Sequence, residues 1–99
     1  MKTRIAALCA TSLLALQACT ATLYHPITGN VLFHGEIEDN PNPERARELF
    51  DMLEDGLQMN LQALREARKA GNSQAMDICL ANIEKGATYK DRLSSIIAG

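Results

Sequence analysis

The sequence predicts a mainly α-helical domain: an antiparallel helical hairpin of two long helices, preceded by a short N-terminal β-hairpin or extended segment. Three observations carry this. Residues 43–70 and 73–97 each place apolar side chains at spacings of three and four, the repeat that lines one face of a helix. Only Gly71-Asn72 stands between them, and so short a connection makes consecutive helices antiparallel neighbours. Upstream, Leu23 to Ile37 flanks a Gly29-Asn30 step that tolerates the positive φ of a tight hairpin turn. A chain of 99 residues, 46 % hydrophobic, fits one domain. With two Tyr, two Phe and no Trp, its core must be aliphatic.

Taken in order, Met1 to Arg4 is short and basic, and Ile5 to Leu16 is an uncharged, mostly apolar run. That order is the layout of a secretory signal, and the run falls short of the ~20 residues a bilayer span requires. The stretch Leu16-Gln17-Ala18-Cys19 resembles the lipobox of bacterial lipoprotein precursors. Gln17 is its least typical member, and Cys9 is the weaker rival because Ala6 stands where that motif has Leu. The resemblance covers only the first fifth of the chain. It implies cleavage between Ala18 and Cys19, removal of residues 1–18, and a lipid (diacylglyceryl, with palmitate-type acylation) on the Cys19 thiol. Because Thr20 is not the Asp of inner-membrane retention, it further implies an outer-membrane location facing the periplasm. An ordinary cleaved signal and an uncleaved amphipathic helix remain the alternatives.

Residues 19–22 then form a lipidated tether, very short for a lipoprotein. In residues 23–37 a two-residue Gly29-Asn30 turn would set Thr28 opposite Val31, Pro26 opposite Phe33 and Tyr24 opposite Gly35. Tyr24, Pro26, Val31, Phe33 and Ile37 would share the face that covers the helices. Pro26 lacks an N–H, so its strand must be an edge or irregular. The same register places His25 across from His34, a weak candidate metal pair with only Glu36 nearby to extend it; two solvated imidazoles are the simpler expectation.

Residues 38–42 are a connector. Asn42-Pro43-Glu44 opens the first helix with an N-cap, a proline at the first helical position and an acid in the first turn. Its predicted stripe is Ala46, Leu49, Phe50, Leu53, Leu57, Leu61, Leu64 and Ala67, widened by Met52 and Met59. Acids crowd its first half, and Arg65, Arg68 and Lys69 its end, a gradient matched to the helix dipole. Gly71 supplies a left-handed C-cap and Asn72 or Ser73 the next N-cap. The second stripe is Met76, Cys79, Leu80, Ile83, Ala87, Leu93, Ile96 and Ile97, interrupted by Lys90. Folding about Gly71 sets Gly56 level with Gly86, which predicts close approach of the two helix backbones there.

Charge and chemistry narrow the function. Without Lys2 and Arg4, eight basic side chains face twelve acidic ones, a net −4. That opposes nucleic-acid binding, which demands basic surface, and electrostatic attraction to anionic lipid. Cys79 is left as a lone thiol: a buried small side chain in the plain reading, an intermolecular disulfide in the sharper one. The sequence has no phosphate-binding Gly-rich loop, no His-x-x-x-His and no Gly-x-Ser-x-Gly. The expectation is therefore a non-enzymatic chain without cofactors: a membrane-anchored periplasmic lipoprotein acting as an interaction or assembly module, with an envelope protein or a second copy on its helices. An inhibitor, immunity or exclusion lipoprotein is one alternative, and a small-ligand or metal carrier another.

Overall fold

The computed structural model describes residues 20–38 and 41–99. Two antiparallel strands, β1 (Thr20–Tyr24) and β2 (Val31–Glu36), are followed by α1 (Pro43–Ala70) and α2 (Ser73–Ala98). The helical hairpin matches its sequence signals closely. The Asn42 side chain accepts the Glu44 N–H at 2.7 Å, with Pro43 in the first turn. Gly71 caps α1 at φ 68°, and Asn72 Oδ1 accepts the Ala75 N–H at 3.0 Å to start α2.

The β-hairpin is present, but in a different register from the expected one. Thr20 pairs with Glu36, Ala21 with Gly35, Thr22 with His34 and Leu23 with Phe33; Tyr24 then pairs with Val31, leaving Leu32 as an extra residue on β2. Residues 20–22, expected as tether, belong to β1. The predicted Gly29-Asn30 turn is replaced by a wider loop. His25 donates its N–H to the Asn30 carbonyl at 2.6 Å and accepts the Gly29 N–H at 2.9 Å, with Gly29 at φ 79°. Local side-chain bonds win here: His25 Nδ1 accepts the N–H groups of Ile27 and Thr28, and Thr28 Oγ1 accepts that of Asn30. Such bonds offer the backbone an alternative to the ladder, and Pro26 has no N–H to contribute to one. The inward face is accordingly Ala21, Leu23, Phe33, Gly35 and Ile37, with Pro26 buried at the loop. Tyr24 (50 % exposed) and Val31 (57 %) point outward, contrary to the predicted face.

The sheet lies across the groove between the helices, β2 on α1 and β1 on α2. The helix seam is narrower in chemistry than the predicted stripes. On α1 it is Ala46, Leu49, Leu53, Gly56, Asn60, Ala63 and Ala67; on α2 it is Ala75, Cys79, Asn82, Gly86, Tyr89 and Leu93. Both alternate spacings of three and four without a break, the heptad pattern of helices that wrap around one another. Leu61, Leu80 and Ala87, predicted in the stripes, are exposed. Tyr89, absent from the predicted stripe, is buried, edge-on to Phe33 with ring centroids 5.6 Å apart.

The two seam glycines do not face each other as expected. A Cβ on Gly56 would lie 3.1 Å from the Leu32 carbonyl oxygen, and one on Gly86 would lie 2.8 Å from Leu57 Cδ2. Gly56 thus makes room for strand β2, and Gly86 for a leucine of the other helix. Gly35 is tighter still, with Phe33 Cζ at 2.6 Å and the Tyr89 hydroxyl at 2.8 Å from a Cβ placed there. The body measures 50 × 29 × 19 Å. Glu36, the partner of Thr20, lies by Ala46, Leu93 and Ile96, so β1 starts near the open end of the helical hairpin and the Gly71 turn is at the other.

Alanine substitutions at Gly35 and Gly86 should separate two of these roles. Gly35→Ala forces a methyl into packed rings and should cost about 1–3 kcal/mol. Gly86→Ala meets the branched end of half-buried Leu57, the nearest methyl at 2.8 Å, a flexible side chain that can turn aside, and gains up to about 1 kcal/mol of helix propensity. Denaturant midpoints should therefore fall for Gly35→Ala and hold or rise for Gly86→Ala.

Candidate interaction site

Two asparagines replace the large aliphatic residues that the middle of the seam would otherwise hold. Asn60 is fully buried and Asn82 nearly so. Asn82 Nδ2 donates to the Tyr24 carbonyl at 2.8 Å and to Asn60 Oδ1 at 2.9 Å, while Asn60 Nδ2 donates to the Cys79 carbonyl at 3.0 Å. The Cys79 thiol in turn approaches the Asn60 carbonyl at 3.7 Å. One connected set of bonds thus joins β1, α1 and α2. Buried amides are tolerated only when partnered, so this set fixes which turn of α1 lies against which turn of α2. The asparagines went unread in the sequence, where the strict alternation of three and four was the signal that would have found them.

Cys79 lies inside this network, fully buried. Desolvation pushes its thiol above the ordinary value of 9.0, and an intermolecular disulfide would require the seam to open. The site is a small, inert core position.

Histidine placement differs from the predicted pair. His34 stands opposite Thr22, whose Oγ1 is 2.8 Å from its Nδ1, and its Nε2 is 3.9 Å from Glu36. His25 sits at the mouth of the loop, its Nδ1 taken up by the Ile27 and Thr28 amides. The expected His25–His34 juxtaposition does not form, and among the described residues no group of three or more His, Cys, Asp or Glu side chains converges. Ala18 and Cys19 lie outside the described residues.

The face of the helical hairpin opposite the sheet carries apolar side chains that the sheet leaves uncovered. Gly56 touches β2, whereas Leu57, one residue on, reaches Gly86 from the other side. Steps of seven residues from Leu57 give Phe50 and Leu64, and the matching row on α2 is Met76, Ile83, Lys90 and Ile97; all are half-buried. Beyond them stand Leu61, 37 % exposed, and Leu80, 57 % exposed. Lys90 interrupts the second row as predicted, and its ammonium pairs with Glu54 and lies 5.3 Å from the Phe50 ring centroid. Half-exposed pairs of this kind contribute up to about 1 kcal/mol, so Lys90 divides the face more than it stabilises it. The aliphatic half lies toward the Gly71 turn.

The chain matches no known protein family, and neither curated proteins nor solved structures show a match. No helix among the described residues is long and apolar enough to cross a membrane.

Removing the amide in Asn82→Ala strands the Asn60 oxygen and the Tyr24 carbonyl and should cost about 1–3 kcal/mol, read as a lowered thermal midpoint. The raised Cys79 thiol has a separate signature. Well below pH 9.0 the thiol is neutral in both states; as pH rises through that value the unfolded chain ionises first, so native stability falls as pH climbs toward the higher folded value. Under reducing conditions Cys79→Ala should lose less stability between pH 7 and pH 10 than the parent chain.

Proposed function

We propose that the chain is a small membrane-anchored lipoprotein of the cell envelope, held by lipid on Cys19 at the outer membrane and facing the periplasm. It acts as a non-catalytic interaction or assembly module. The observation that carries this reading is the uncovered apolar face built from Leu57, Leu61, Leu64, Met76, Leu80 and Ile83, four of them half-buried and two exposed. Exposed apolar surface of this kind, rimmed by polar residues, marks a place where another protein packs. The lipobox-like Leu16-Gln17-Ala18-Cys19 supplies the anchor: each acyl methylene contributes about 0.8 kcal/mol, and two or more chains give lasting attachment. An acidic net charge supports lipid over electrostatics as the means of attachment. The partner is an envelope protein, or a second copy completing a four-helix arrangement.

Two measurements test the two halves of this reading. Intact-mass analysis of the native product should show a chain starting at Cys19 with diacylglyceryl mass added, and Cys19→Ser should leave the precursor unprocessed or release the chain from membranes; an unmodified residue 19 defeats the anchor. Photo-crosslinkers at Leu61 and Leu80 should capture an envelope protein or a second copy in living cells, while one at Gln74 should not. Equal, diffuse capture at all three positions defeats the helical face.

A further inference from the structure

We infer that the outer face of the two-stranded sheet rests on the bilayer, which leaves the opposite, helical face turned toward the periplasm for a partner protein. This orientation deepens the anchored-module reading and rests on it, with a lipid surface as the layer that covers the strands.

A lipid on Cys19 has almost no slack. Cys19 directly precedes Thr20, the first residue of β1. The strand runs from the open-end side of the helices to Tyr24, whose carbonyl accepts Asn82 Nδ2 at 2.8 Å. From Tyr24 back to Thr20 it rises about 13 Å, at about 3.3 Å per residue. From Asn82 to Ala98, the last residue of α2, the helix rises about 24 Å, at 1.5 Å per residue. The helix therefore overshoots Thr20 by about 10 Å. A chain standing upright on its helix ends would hold Thr20 that far above the bilayer, with a single residue to span the gap, and one residue covers at most about 3.6 Å. The body must lie over until a long side meets lipid. The helical face fails by the same arithmetic, because a helix layer about 10 Å across would separate β1 from the membrane.

Charge selects the same side. All twelve acidic side chains come at Glu36 or later, and after Arg4 no Lys or Arg occurs before Arg45. Glu36 is thus the only Asp, Glu, Lys or Arg in either strand, and it stands at the anchor end, opposite Thr20. The helices carry most of the remaining charge, net acidic. An anionic membrane surface repels such a flank, and hydrocarbon penalises charge of either sign. The outward rows of the sheet are Thr20 with Glu36, Thr22 with His34, and Tyr24 with Val31. Thr22 Oγ1 and His34 Nδ1 already satisfy one another at 2.8 Å. Tyr24, Val31 and the loop residue Ile27 are each about half exposed, and tyrosine is a residue of membrane interfaces, with an apolar ring and a polar tip. The anchor and this apolar cluster hold opposite ends of one nearly uncharged face.

The chain contains no Trp, so a single introduced Trp is a clean probe. Lipidated full chains carrying Ile27→Trp, Val31→Trp or Leu80→Trp, each checked by intact mass, are placed in phosphatidylethanolamine–phosphatidylglycerol vesicles whose acyl chains are brominated near the headgroup. All three positions are exposed, so the fold tolerates the change and the preference of Trp for interfaces acts equally on each. Emission from Ile27→Trp and Val31→Trp should shift to the blue and lose most of its intensity, while Leu80→Trp stays bright. Adding Ile27→Glu to Val31→Trp should abolish its quenching while the chain still floats with the vesicles. The orientation is overturned if a chain lipidated on Cys19 floats with vesicles yet Ile27→Trp and Val31→Trp stay bright. It is equally overturned if Leu80→Trp is quenched as strongly as they are, or if Ile27→Glu changes nothing. A residue 19 without lipid overturns the anchor and the orientation together, whereas a lipidated chain with a bright Ile27→Trp overturns the orientation alone.

Discussion

Most of this structure depends on one constraint: a helix seam made of small and polar residues, pinned at its centre by Asn60 and Asn82. Alanine and glycine let the helices approach but bury little apolar area per turn. At about 25 cal/mol per Å², such a seam contributes less than a leucine-filled one. The remaining stabilisation comes from the sheet, which lays Leu23, Phe33 and Ile37 over Leu49, Leu53 and Leu93 at the wider end. The amide network matters because an aliphatic seam of small residues could slide by a turn at modest cost, whereas two buried amides cannot move without losing their partners.

How much of this was legible in the sequence follows from the same chemistry. The helices, their caps and their reversal were readable because Asn42-Pro43 and Gly71-Asn72 are local signals whose effect does not depend on distant packing. The inner faces were less so. Hydrophobicity points to Leu61 and Leu80, but the packed positions are occupied by Gly56, Asn60 and Ala63 on one helix and by Asn82 and Gly86 on the other. Spacing carried more information than residue type, because the seam selects for size while the greasier residues are left over for other surfaces. The β-hairpin register was hidden for a different reason. It is set by His25 and Thr28 binding their own loop and by the extra residue at Leu32, neither of which leaves a trace in alternation. The histidine pair was lost with that register. The lipobox-like segment could be read from its residues alone, yet it lies outside the described part of the chain.

Both candidate surfaces belong to one two-layer body. On one side the helices present half-buried rows that no other described residue covers. On the other the sheet presents its outer face, with Glu36 as the only Asp, Glu, Lys or Arg in either strand. A fold of this size, without disulfides among its described residues, gains from any partner that completes either layer. Lys90 with Glu54 and Phe50 marks where the uncovered rows stop being purely aliphatic, confining the apolar portion to the half beyond the sheet.

The position of β1 along the body has a mechanical consequence. The strand begins beside the open end of the helices, near Ala46 and Leu93, and from Ala46 to the Gly71 turn α1 rises roughly 35 Å at 1.5 Å per residue. Any attachment made just before Thr20 therefore grips a stiff boom at its heel. The aliphatic half, with Leu61 and Leu80, rides toward the far tip, at a reach set by helix length rather than by a floppy leash.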